Sequence, residues 1–146
     1  MALSPPFRRL RRLGAANVRL LAEALPALVL ASAAIRLIPF KRLAARASRP
    51  GREGEVPDEA FLCKLRWAVD SWGSRVPWRA LCFERGLAVH KMLRRRGMKS
   101  VLHYGVARDS SGALAAHVWV TVAGRPVIGG EEAPRFACVA RFPEPE

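Results

Sequence analysis

Cys82 and His117 are the two side chains of this 146-residue chain best suited to covalent chemistry. Cys82 lies in the stretch from Val76 to Gly97, which reads as one helix. Pro77 opens it, Leu81, Ala88, Val89, Met92 and Leu93 form its apolar stripe, and Gly97 follows a basic last turn of Arg94, Arg95 and Arg96. The spacing predicts Cys82 in the first turns, where a helix N-terminus favours negative charge on sulfur, and Arg79 and Arg85 add positive charge nearby. His117 falls inside an alternating stretch, residues 115–122, that reads as a strand. A thiol near a helix start and an imidazole on a following antiparallel sheet can meet. Together they supply a nucleophile and a base that later protonates a leaving amine. Spacing alone equally admits a plainer reading, with Cys82 as a small buried hydrophobe and His117 as a structural strand residue.

The other candidates are weaker. Cys63 falls on the face of a helix, and Cys138 lies in a C-terminal stretch with no partner in view. His90 reads as a helix-surface or packing residue. His103 sits on a strand neighbouring that of His117, close enough in sequence logic to reach the same cleft. Three well-separated cysteines without a Cys-x-x-Cys pair predict reduced thiols and a cytoplasmic protein, not a disulfide framework. The histidines lack metal-ligand spacing with any cysteine, so neither a metal nor another cofactor is expected.

Several elements must position the pair. Leu20, Leu21, Ala24, Leu28, Ala31, Ile35 and Ile38 recur at helical spacing, Pro39-Phe40 ends that helix, and residues 41–46 read as a short basic helix. Residues 48–57, rich in Pro, Gly and alternating charges, read as a linker. Pro57-Asp58 starts a further helix whose apolar face carries Phe61, Leu62, Leu65, Ala68, Val69 and Trp72, and Gly73 stops it. After Gly97 the period becomes two: strands over 101–106, 115–122 and 125–128, with a hairpin loop at 108–112 and a tight turn at Ala123-Gly124. In the second strand His117, Trp119 and Thr121 share one face, and Val118, Val120 and Val122 the other. The expected architecture is α+β, a cysteine-bearing helix on a small antiparallel sheet. Residues 1–52 form a basic N-terminal helical extension and residues 53–146 the core.

A hydrophobic fraction of 51% excludes wholesale disorder. The net charge of +13 is concentrated at the front: 11 basic residues and one acid up to Arg52, against 14 basic and 11 acidic residues from Glu53 onward. Such a surplus points to a polyanionic or acidic partner. Nucleic acid is not expected, because the aromatics do not interleave with the basic residues as a stacking platform requires. The apolar run from Ala24 to Ile35 follows Arg8, Arg9, Arg11 and Arg12, is interrupted by Pro26, and is too short by itself to span a bilayer. It reads as an amphipathic helix packed on the domain, with a membrane-surface helix as the alternative.

The pattern Pro-Trp-Arg-x-x-Cys from Pro77 to Cys82, the Leu93 to Gly97 run, Ala115-Ala-His-Val-Trp-Val and Gly124-Arg-Pro-Val resembles the leader peptidases of lasso-peptide biosynthesis. These are small transglutaminase-like cysteine proteases. The similarity is strongest over residues 76–130 and extends back to the motif from Leu37 to Leu43, in the stand-alone form without a fused recognition domain. The resemblance implies a papain/transglutaminase-like core with Cys82 as nucleophile and His117 as general base. An orienting acid is expected about a dozen residues after the histidine, but Gly129 and Gly130 stand there, with Glu131 and Glu132 the nearest carboxylates. Glu131 reaching back, a backbone carbonyl or amide, or a bare dyad are the alternatives. The Cys82 backbone N–H is the expected oxyanion donor, with Trp78 and Arg79 as further oxyanion or substrate-positioning residues. The implied reaction is hydrolysis of one peptide bond in a ribosomally made precursor, freeing the core α-amine for macrolactam formation. Implied partners are the precursor peptide, a leader-recognition protein and a lasso cyclase, with no cofactor. The front helix then serves as a docking surface for a partner or an acidic membrane. The reading from a different class is a non-catalytic basic adaptor or scaffold for an acidic partner, membrane surface or nucleic acid.

Overall fold

The computed structural model describes residues 14–49, 57–78 and 81–143. Among the described residues four helices precede a four-stranded sheet: α1 (Ala15–Leu37), α2 (Phe40–Ala47), α3 (Glu59–Gly73), α4 (Cys82–Arg95), then β1 (Val101–Arg108), β2 (Leu114–Val122), β3 (Arg125–Ile128) and β4 (Ala137–Phe142). The sheet is antiparallel throughout, in the order β3-β2-β1-β4. The α+β class expected from the periodicities is what the chain adopts. The Arg8–Arg12 run, most of the 48–57 linker and Arg79 lie outside the described residues.

The helix packing follows from the apolar stripes. Leu20, Ala24, Leu28 and Ala31 on α1 are buried against α3 and α4, where Leu62, Leu65 and Val69 meet Ala88, Val89, Met92 and Leu93. One hydrophobic cluster therefore runs across residue 52/53 and joins the expected extension to the expected core. Polar ties reinforce the contact. Trp72 Nε1 donates to the Leu21 carbonyl at 2.8 Å, and Arg96 grips Glu23 with both terminal nitrogens at 2.6 and 2.5 Å. That hydrogen-bonded guanidinium holds the Glu23 carboxyl below its ordinary range. α1 is long and apolar enough to cross a membrane by length and composition, but this same side of it is engaged in the domain. α3 starts as expected, with the Asp58 carboxylate accepting from the Phe61 N–H at 2.7 Å.

The alternation in β2 has the predicted effect. Val118, Val120 and Val122 are buried on the face that packs against α4. Gly86 lets the helix close onto that face, because a Cβ there would lie 2.7 Å from Val118 Cγ1. On the opposite face His103, Trp119 and His117 stack in succession, with ring centroids 5.2 and 5.9 Å apart, and Phe136 lies 5.0 Å from the His117 ring. A short 3-10 turn (Ala133–Arg135) brings the chain back over this face and into β4. β4 corrects the expectation of an unpartnered C-terminal stretch: it pairs along β1 from Val106 to Leu102. The reason is long-range. An edge strand that borrows its hydrogen bonds from a strand some 35 residues earlier leaves no hairpin signal beside it.

Candidate active site

The helix bearing Cys82 begins at Cys82 itself, five residues later than Pro77 suggests. The Leu81 N–H is taken by the Glu84 carboxylate at 3.1 Å, which fixes the helix start there. Upstream, Trp78 is drawn toward α1, where its indole N–H donates to Ser32 Oγ at 2.9 Å. That bond corrects the assignment of Trp78 as an oxyanion donor, since its single N–H is committed elsewhere. Arg85, expected to lend charge to the sulfur, instead pairs with Asp70 of α3 at 3.1 Å and packs over Gly73. At Cys82 the helix start supplies positive potential, because its first N–H groups have no intrahelical acceptors.

His117 is buried on β2. β3 pairs only with Val120 to Val122, so the edge of β2 is uncovered by a neighbouring strand beside His117. There the chain turns at Gly129, and the His117 Nε2–H donates to the Gly129 carbonyl at 2.7 Å. A carbonyl can only accept, so Nε2 carries the proton and Nδ1 is left as the basic nitrogen. Gly129 adopts φ +76°, and a Cβ on it would approach the Val118 carbonyl oxygen to 2.7 Å and His117 Nε2 to 3.3 Å. No side chain fits at that position. The orienting acceptor is therefore supplied by the main chain, one of the alternatives the sequence left open.

Glu131 does not take that place. Its carboxylate forms an ion pair with Arg66 of α3, which also reaches Asp70 at 3.5 Å. The hydrogen bond from its own backbone N–H, with that of Arg66, keeps Glu131 below the ordinary carboxylate range and hence ionised. Its proximity to His117 is electrostatic; the imidazole's hydrogen bond goes to Gly129.

Cys82 and His117 line one cavity of about 200 Å³. No hydrogen bond joins them. Phe40, Phe83 and Tyr104 form an aromatic wall beside the thiol, and Ala116 and Val118 complete the lining. Phe40 stands at the centre of that wall, 6.4 Å from the Phe83 ring and 5.8 Å from Tyr104. α2 is thus an element of the site, a role that its basic composition did not suggest. A thiol at a helix start, an imidazole in a fixed tautomer and an apolar recess form a constellation suited to acyl transfer through sulfur.

The remaining candidates separate from this cavity. His90 is fully buried, donating from Nε2 to the Ala47 carbonyl at 3.2 Å and accepting from Ser100 Oγ at 2.7 Å, and burial pushes its pKa down to about 4. It is a packing residue. His103 lies beside Cys138 on the outer sheet face, and Cys63 is exposed on α3. No curated protein and no solved structure matches the chain significantly. A family model described as the Transglutaminase-like superfamily matches residues 24–141, which begin inside α1 and end in β4. With most of its length matched, the chain belongs to the transglutaminase-like superfamily.

Proposed function

We propose that the protein is a cysteine peptidase that cleaves the leader from a ribosomally made lasso-peptide precursor. The observation that supports this most is the shared cavity of Cys82 and His117, with His117 held by the Gly129 carbonyl. Superfamily membership is compatible with cysteine peptidase chemistry, and the motifs around both residues resemble those of the leader peptidases.

In this reading Cys82 Sγ passes its proton to His117 Nδ1 and attacks the scissile carbonyl carbon. The oxyanion lies against the first-turn N–H groups of α4. The imidazolium then protonates the departing amine, which becomes the free α-amine of the core. Water, deprotonated by His117, releases the leader acid from sulfur. The Gly129 carbonyl orients the ring throughout and accepts from the imidazolium, a neutral stand-in for a carboxylate. A thiol tolerates this better than a hydroxyl, being intrinsically more acidic and more nucleophilic. Each step uses side-chain and main-chain groups of this chain together with one water. The precursor peptide is the substrate, and a leader-recognition protein and a cyclase are the proposed partners on either side of the reaction.

The test is incubation of the protein with its cognate precursor and recognition protein, with products read by mass spectrometry. Cleavage at a single bond that vanishes in Cys82→Ala and His117→Ala supports the peptidase. Unchanged cleavage in either variant, or transfer of the acyl group to an added amine in place of water, contradicts it.

A further inference from the structure

A helix on the surface of a folded domain is expected to be apolar on one side and polar on the other. α1 is apolar on both. Leu20, Ala24, Leu28 and Ala31 are buried against the domain. On the far side Ala22, Pro26, Val29, Leu30 and Leu37 are exposed, and Ala33 is half-buried between them. These positions recur at helical spacing in a stripe about 22 Å long, and none carries a polar side chain. Leu30 is 56% and Leu37 82% exposed, so the stripe lacks a cover among the described residues. Positive charge gathers at one end of it. Arg36 flanks Leu37, and Lys41, Arg42 and Arg46 of α2 follow, all exposed and none in an ion pair among the described residues. The one acid of α1 and α2, Glu23, is already held by Arg96.

We propose that the outer face of α1, with the cationic start of α2, docks the protein on the surface of a bilayer that bears anionic headgroups. The stripe meets the acyl boundary, and Arg36, Lys41, Arg42 and Arg46 meet the headgroup phosphates. The helix lies in the interface and does not cross it, because its inner side is tied into the domain. Trp72 donates to the Leu21 carbonyl, and Arg96 grips Glu23. Charge complementarity selects this occupant over a second copy of the chain, since pairing two such faces would bring like-charged clusters together. The stripe also presents no side-chain donor or acceptor to fix the register of a protein partner, and a fluid lipid surface requires none. Phe40, half exposed just beyond Leu37, lines the Cys82 cavity, so the rim of the site sits beside the docked face. Docking itself does not depend on peptide cleavage.

The test is co-sedimentation of the full chain with vesicles of phosphatidylglycerol and phosphatidylcholine in equal parts, against vesicles of phosphatidylcholine alone. Binding to the anionic vesicles is expected to be at least about tenfold tighter and to weaken as salt is raised. The double variant Leu30→Gln/Leu37→Gln, which changes no charge, is expected to weaken it about tenfold. Lys41→Glu is expected to weaken it by a similar factor, of about ten, and Arg108→Glu on the β1–β2 hairpin, an equal change of net charge, to have less than about a threefold effect. Unfolding midpoints of the variants check that each is folded; should the double variant unfold, Leu37→Gln alone decides. Equal binding to the two vesicle types would overturn the proposal. So would binding indifferent to the leucine changes, or lowered as much by Arg108→Glu as by Lys41→Glu, since either reports only the net charge. A dimer in solution that the leucine variant converts to monomer would assign the stripe to a second copy and overturn it too.

Discussion

Two cysteine–histidine pairs draw their imidazoles from one stacked row of rings on the same sheet face, and what surrounds each pair separates their chemistry. Cys82 opens a helix and faces a cavity of about 200 Å³ lined by aromatic side chains, with the paired imidazole locked to a main-chain carbonyl. Cys138 lies on an exposed edge strand, with an imidazole tied to a threonine hydroxyl. The residue types are the same. Among the described residues the first pair adjoins an apolar recess and a helix start, the features that the proposed reaction requires for the peptide and the oxyanion.

The sharpest way to break this contrast is to remove one sulfur at a time. Cys82→Ala is expected to reduce precursor cleavage to background, whereas Cys138→Ala leaves the cleavage rate within about twofold, as for an exposed side chain that lines no part of the cavity. Loss of cleavage in Cys138→Ala would erase the distinction.

The third histidine extends the comparison to an imidazole with no cysteine at all. His90 is buried with both nitrogens bonded, and its pKa falls from 6.5 to about 4. The unfolded chain thus binds a proton that the folded chain refuses, and stability is full above about pH 6.5 and declines as pH falls toward 4. Between pH 7 and 4.5 the loss attributable to this residue is roughly 2 kcal/mol. Urea unfolding at the two pH values measures it, and His90→Gln should flatten the difference.

Gly129 tests the lock on His117. Gly129→Ala places a side chain at a positive φ, strained by about 1–2 kcal/mol, and presses on the Val118 carbonyl and the imidazole. Cleavage should fall about tenfold, equivalent to one hydrogen bond of roughly 1.4 kcal/mol. The midpoint of denaturant unfolding should fall with it. The smallest effect is expected from Glu131→Gln. Its ion pair with Arg66 has side chains 61% and 43% exposed, a setting in which such pairs contribute about 0–1 kcal/mol. A loss of cleavage beyond about fivefold would return Glu131 to the catalytic group.

Much of this was legible from residue patterns, for identifiable reasons. The apolar stripe of α3 and the alternation of β2 are local and periodic, so Asp58 and Val118, Val120 and Val122 fell where expected. The substitution of Gly129 for an acid was visible as a gap, but which group filled it depended on a backbone turn. Pro77 looked like a helix start because proline favours the first turn, yet the Glu84 cap and the Trp78–Ser32 bond moved the start to Cys82. The outer pair was hidden altogether. It depends on an edge strand paired at long range and on one bulge residue, Val139, neither of which leaves a periodic trace. Phe40 escaped for the same reason: its place beside Cys82 is set by how α2 packs, not by its neighbours in sequence.

The most direct measurement is intact-mass spectrometry of the protein, quenched in acid during turnover of its precursor. An adduct of leader mass as a thioester, localised to Cys82 and absent from the Cys82→Ala and His117→Gln proteins, is what nucleophilic catalysis through this sulfur predicts. Leader release in a Cys82→Ala protein, at the wild-type rate and with no adduct on any cysteine, would contradict it.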